Sequence, residues 1–133
     1  MFILDTNVIS AARRPERSQK LATWLYAQPE ETLFLSVITI GEIARGIRQQ
    51  EKSNPTFAHD LRVWLDRTET LFQDRILAFS SQDARLWGRL SAEIRHTGAD
   101  LMIAATALSH GATVVTCNAS DFQRTRAQVL NPF

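Results

Sequence analysis

Apolar residues along the chain fall into short blocks separated by polar or small residues. Met1–Leu4, Thr32–Leu35, Ile76–Phe79 and Thr113–Thr116 each read as a buried strand, with a weaker one at Gln128–Leu130. Between them, apolar residues recur at helical spacing over Asn7–Ala12, Ser18–Ala27, Val37–Gln50, Pro55–Phe72, Ser81–His96 and Asp100–Ser109. Strands alternating with helices, without Asn-Gly or Asp-Gly hairpin signals, predict crossover connections and an α/β fold on a mostly parallel sheet. No strand pattern interrupts Ile38–Phe72, where Phe57, Leu61, Trp64, Leu65 and Leu71 keep helical spacing. A two-helix arm packed beside the sheet is expected there.

Length and composition narrow the picture without deciding it. At 133 residues the chain is expected to form one domain spanning 1–133, large enough to fold without a disulfide or structural metal. The single Cys117 excludes an internal disulfide, and no run is long enough for a membrane span or a signal peptide core. A cytoplasmic protein is the expectation. Net charge is only +1, so bulk electrostatics give no argument for nucleic acid. Of the 15 basic residues all but Lys20 and Lys52 are arginine, which suits bidentate phosphate contacts but equally fits a compositional bias.

The chemistry rests with the acids. Most of the 14, Asp83 among them, fit solvated helix faces or connections. Four stand apart. Asp5 leaves the first strand, where open α/β sheets place their sites, although it could equally cap the next helix. Asp100 falls within the apolar cluster of Leu101, Ala104, Ala107 and Leu108 on a helical wheel, so it is either an N-cap or a site residue. Glu42 lies opposite the stripe of Ile40, Ile43, Ala44 and Ile47, and periodicity alone reads it as a surface partner of Arg45. Asp121 follows the fourth strand and suits either a turn or a site.

Together these positions say more than any one of them. In a doubly wound sheet Asp5, Asp100 and Asp121 converge on one edge. Carboxylates gathered in one pocket repel unless a divalent cation neutralises them. All-oxygen ligation selects Mg²⁺ or Mn²⁺, and none of His59, His96 and His110 forms a zinc-spaced pair.

The sequence resembles the PIN-domain ribonucleases, and within them the VapC-type toxins of type II toxin–antitoxin pairs. The resemblance is carried by Phe2-Ile3-Leu4-Asp5-Thr6-Asn7-Val8-Ile9-Ser10 and Leu35-Ser36-Val37-Ile38-Thr39-Ile40-Gly41-Glu42-Ile43. It continues through Asp100-Leu101-Met102-Ile103-Ala104-Ala105-Thr106-Ala107, Val114-Val115-Thr116-Cys117-Asn118-Ala119-Ser120-Asp121-Phe122 and the closing Leu130-Asn131-Pro132-Phe133. It implies a three-layer PIN-like fold with a helical arm. Asp5, Glu42, Asp100 and Asp121 would bind Mg²⁺, with Mn²⁺ able to substitute, and Asn118 would stand beside the fourth position. Thr6 would offer a site-side hydroxyl, and Ser36 and Thr116 would orient acids. The implied partners are an RNA substrate (tRNA or rRNA among the candidates), a cognate antitoxin whose segment fills the site groove, and a second copy of the chain. A hetero-oligomer with the antitoxin would follow. Two features depart from the family pattern: Thr97-Gly98-Ala99-Asp100 is a short lead into the third block, and Cys117 stands where arginine is common.

The implied activity is metal-dependent endoribonuclease cleavage, with Arg13, Arg14 and Arg45 near enough in sequence to suggest flanking phosphate contacts. A phospho-acceptor receiver domain would need a lysine after a late strand, and neither Lys20 nor Lys52 is placed there. The remaining alternatives are a PIN nuclease of RNA processing outside any toxin pair and a catalytically silent PIN-like interaction module.

Overall fold

A computed structural model describes residues 1–133. Strands β1 (Phe2–Leu4), β2 (Leu33–Ser36), β3 (Ile76–Leu77), β4 (Thr113–Val115) and β5 (Gln128–Leu130) form one sheet in the order β3-β2-β1-β4-β5. Every pairing is parallel. Helices α1 (Thr6–Ala12), α2 (Gln19–Ala27), α3 (Val37–Ser53), α4 (Pro55–Leu71), α5 (Ser81–Ile94) and α6 (Ala99–His110) supply the crossovers. The expected elements are present with shifted ends, and 3-10 turns at Pro15–Arg17, Glu30–Thr32 and Ala119–Thr125 complete the chain. No helix is long and apolar enough to cross a membrane.

The alternation of side chains along each strand builds the three layers. Leu4, Leu33, Leu35 and Val115 face one core with Val8, Leu21, Ile43, Ile47, Ala58 and Leu65 from α1 to α4. Ile3 and Val114 face the other, with Ile103, Ala104 and Ala107 of α6 and Phe122 of the last 3-10 turn. The small residues of α6 let that helix lie close against the strands. The arm expected over Ile38–Phe72 is the α3–α4 pair, joined at Asn54, whose side chain accepts from the Phe57 N–H at 3.1 Å. Of the arm's large apolar residues, Val37 and Leu71 are exposed, at 39% and 59%, while Phe57, Leu61 and Trp64 are half-buried.

Two buried ionic residues fasten the layers. The Arg75 guanidinium donates to the carbonyls of Leu33, Glu30 and Leu71 at 2.7, 2.8 and 3.0 Å, and it stacks over the Phe72 ring. Asp83 is 1% exposed, which corrects its reading as a solvated acid. It forms a capping box with Ser80 at the start of α5 and accepts from Ser109 of α6 at 2.5 Å. The capping box closes the α5 end, and the Ser109 bond fixes α5 against the helix that carries Asp100.

Strand order reverses between β1 and β4, because the chain adds β2 and β3 on one side of β1 and β4 and β5 on the other. Open α/β sheets form a crevice outside the carboxyl ends of the strands at such a point. Asp5 follows β1 and Thr116 follows β4 there.

Candidate active site

A cavity of about 500 Å³ opens at this crevice. Asp5, Glu42, Asp100 and Asp121 all line it, together with Thr6, Asn7, His96 and Asn118, and no lysine or arginine does. Four acids spread over more than a hundred residues of sequence thus reach one hollow from four separate elements.

Asp5 is the best supported of them. Its carboxylate caps α1 by accepting from the Thr6 N–H at 2.8 Å through one oxygen. The other oxygen accepts from Thr116 Oγ1 at 2.8 Å and Asn7 Nδ2 at 2.9 Å. Capping and site placement, alternatives on the sequence, therefore coexist. Burial pushes the Asp5 carboxyl above its ordinary value, donation from Thr116, Thr6 and Asn7 pulls it back, and the nearby charge of Asp100 adds to the rise. Fully buried Thr116 is the hub of this network, since its hydroxyl also accepts from the Asn118 N–H at 3.0 Å.

Glu42 is exposed, as the wheel reads it, but it does not pair with Arg45. Its carboxylate lies 2.5 Å from Thr6 Oγ1, which stands 3.2 Å from Thr39 Oγ1. The wheel finds the exposure but not the neighbour, because α3 is flanked on two sides: Ile43 and Ile47 face the first core while Ile38 packs on the second. Glu42, one turn beyond Ile38, consequently borders the crevice. Ser36 is also corrected: its hydroxyl caps α3 by accepting from the Ile38 N–H at 3.0 Å and bonds to no carboxylate.

Asp100 is in the first turn of α6 and is not its cap, because Gly98 holds the cap position without a side-chain bond. His96 Nε2 reaches the Asp100 carboxylate at 3.1 Å. Gly98 permits this approach, since a Cβ there would lie 2.6 Å from the His96 ring and 2.7 Å from Asp100 Oδ1. Asp121 sits in the first turn of the Ala119–Thr125 3-10 helix, anchored by buried Phe122, and its carboxylate has no hydrogen-bond partner in the chain.

Asn7 and His96 were missed by the sequence reading. Asn7 also accepts from the Cys117 N–H at 3.1 Å, so it ties the exit of β1 to the exit of β4. An amide two residues after a strand-end acid, and a histidine four before a helix-entry acid, were the available signals. Of the arginines suggested for phosphates, Arg13 stacks over the Phe57 ring on the arm.

The donor set suits a hard divalent cation, being carboxylate, amide and hydroxyl oxygens apart from His96. No three of these acidic or imidazole groups stand close enough to share one ion as they are arranged. Ligation by three of them would take side-chain rotation toward a common point in the cavity.

The pattern of the PIN domain matches residues 2–128. The VapC ribonuclease Y4jK of Sinorhizobium fredii is 33% identical over 138 residues, covering 100% of this chain and 98% of that protein. Toxin FitB of Neisseria gonorrhoeae is 32% identical over 145 residues, with 100% and 99% covered. The crystal structure of FitAcB from Neisseria gonorrhoeae superposes with a TM-score of 0.85 at 32% identity, over 99% of this chain and 98% of that one. A match of this extent, on a fold and crevice of this kind, makes the chain a member of the PIN-domain family.

Proposed function

We propose that this protein is a Mg²⁺-dependent endoribonuclease and the toxin of a type II toxin–antitoxin pair. The observation that carries the reading is the convergence of Asp5, Glu42, Asp100 and Asp121 on one cavity whose lining has no lysine or arginine. Such a cluster is costly alone and suited to a divalent cation, with Mn²⁺ able to replace Mg²⁺. Relatives named as a VapC ribonuclease and as toxin FitB support the same reading.

Asp5, Asp100 and Asp121, with Glu42, would hold the cation. When bound, the ion supplies an electrophile for a phosphate oxygen and acidifies water for in-line attack. The chain's own contribution is orientation. Thr6 N–H, Asn7 and Thr116 fix both oxygens of Asp5, and the Thr6 hydroxyl fixes Glu42. Asn118, held through its N–H by Thr116, stands at the rim beside Asp121.

The expected partners are RNA, a second copy of the chain and a cognate antitoxin. A cavity of about 320 Å³ on the arm, lined by Phe57, Leu61 and Trp64, shares Thr6 and Glu42 with the acidic cavity. It offers an apolar seat from which an antitoxin segment could reach the acids.

The purified chain should cleave RNA with Mg²⁺ and not with EDTA. Asp5→Asn and Asp100→Asn should each lose about 10²–10³-fold in rate, as for removal of one preorganised electrostatic group, while retaining the circular dichroism of the fold. Undiminished cleavage by both variants would sink the assignment.

A further inference from the structure

The acidic cavity is continuous with a basic one. A hollow of about 230 Å³ shares His96, Asp100 and Asp121 with the acidic cavity, and it extends to Ile94 and Arg124. Those last two residues also line a groove of about 500 Å³ formed by α5, α6 and the segment around the last 3-10 turn. The groove has an apolar floor that includes Leu90, and Arg89, Arg124 and Arg126 line it against one acid, Glu93. None of the three arginines is in an ion pair within the chain. Arg124 is held at the junction by donating to the Ile94 carbonyl at 3.3 Å.

Backbone conformation marks the same place. The non-glycine residues with positive φ are Arg95 at 62° and Arg126 at 67°. They end α5 and the 3-10 helix, the two elements that meet at the groove. A left-handed conformation is unfavourable for a side chain as large as arginine, and such strain clusters where function requires a particular group.

We propose that this arginine-lined groove binds single-stranded RNA flanking the cut, with Arg124 next to the acids and Arg89 and Arg126 further along the strand. The proposal rests on the ribonuclease reading and adds the path of the substrate. A polyanion entering a cavity of four carboxylates meets repulsion, so it needs a cationic handhold beside them. Arginine forks suit phosphates, and guanidinium planes also suit unstacked bases. A second copy of the chain fits poorly, since a two-fold contact centred on the groove would set one cluster of three arginines against the other.

The test is fluorescence anisotropy of the full chain in EDTA with a labelled 12-nucleotide single-stranded RNA of mixed sequence, across a salt series. Each lost phosphate contact lowers the steepness of log K against log salt by about 0.7. Arg89→Ala/Arg126→Gly should therefore flatten the slope by about 1.4 and weaken binding roughly 25-fold at 0.1 M salt. Arg126→Gly suits the positive φ, so the double variant should melt no lower than Arg67→Ala, a control on α4 that should bind as wild type does. Unchanged slope and affinity in a folded double variant, beside wild-type cleavage in Mg²⁺, overturns the groove alone. Loss of self-association in the double variant also overturns it, by making the groove a contact between copies. A wild-type chain that neither binds nor cleaves RNA defeats the ribonuclease reading and the groove with it.

Discussion

Thr116→Val removes one hydroxyl and keeps the shape of the side chain. The residue is fully buried and its bond to Asp5 is buried with it, so the new methyl leaves no room for a water in that place. Asp5 loses a donor at 2.8 Å and the Asn118 N–H loses its acceptor at 3.0 Å. A hydrogen bond to a charged group contributes about 1.5–3 kcal/mol, whereas the added methyl returns under about 1 kcal/mol of burial. The bond dominates, and a net loss of about 2 kcal/mol is expected, or roughly 8 °C in melting temperature for a domain of this size. The sign with pH separates this account from a packing defect. Asp5 already has a raised carboxyl pKa, and losing its strongest lowering donor raises it further. Above that folded pKa the unsupported carboxylate bears the full deficit. As pH falls through it, the native protein takes up a proton more readily than the unfolded chain, and the deficit shrinks. Urea unfolding of the metal-free variant and wild type at neutral and mildly acid pH measures the difference. The acid limb of the cleavage profile should move to higher pH as well. A destabilisation equal at both pH values, with an unmoved acid limb, would refute the role given to Thr116.

Gly98→Ala should break the His96–Asp100 contact, because the new Cβ would lie 2.6 Å from the imidazole. His96 is half-exposed and can swing outward, so stability should fall by no more than about 1 kcal/mol; unchanged His96 ring nitrogen shifts would contradict this. Arg75→Ala should cost about 3–4 kcal/mol, since three carbonyls lose their donor together with a ring contact. A urea midpoint within 0.5 M of wild type, on the order of 1 kcal/mol, would show the carbonyls re-satisfied.

Architecture was legible because short apolar runs and helical stripes each have one period, and the two alternate. Leu4 and Ile3 show the limit of that reading: both are simply apolar in sequence, yet they face different cores. The acids were harder. Asp5 looked like cap or site because position cannot separate roles that one carboxylate fills with two oxygens. What Glu42 borders was unreadable from a wheel, which finds its exposure but assumes one buried face where α3 has two neighbours. Asp83 looked solvated because its partner Ser109 is 26 residues away. Asn7 and His96 act through contacts with other groups, and composition carries no trace of such geometry.

The reversal of strand order also sets when the acidic cavity can exist. Asp5 is held by the hydroxyl of a residue 111 positions later in the chain. Its N–H bonds to the Val115 carbonyl, so β1 completes its pairing only after β4 is synthesised. Asp121 follows later still. A growing chain therefore carries Asp5 and Glu42 without Asp121, and the four acids meet in one cavity only after β4 and the 3-10 helix behind it have been made.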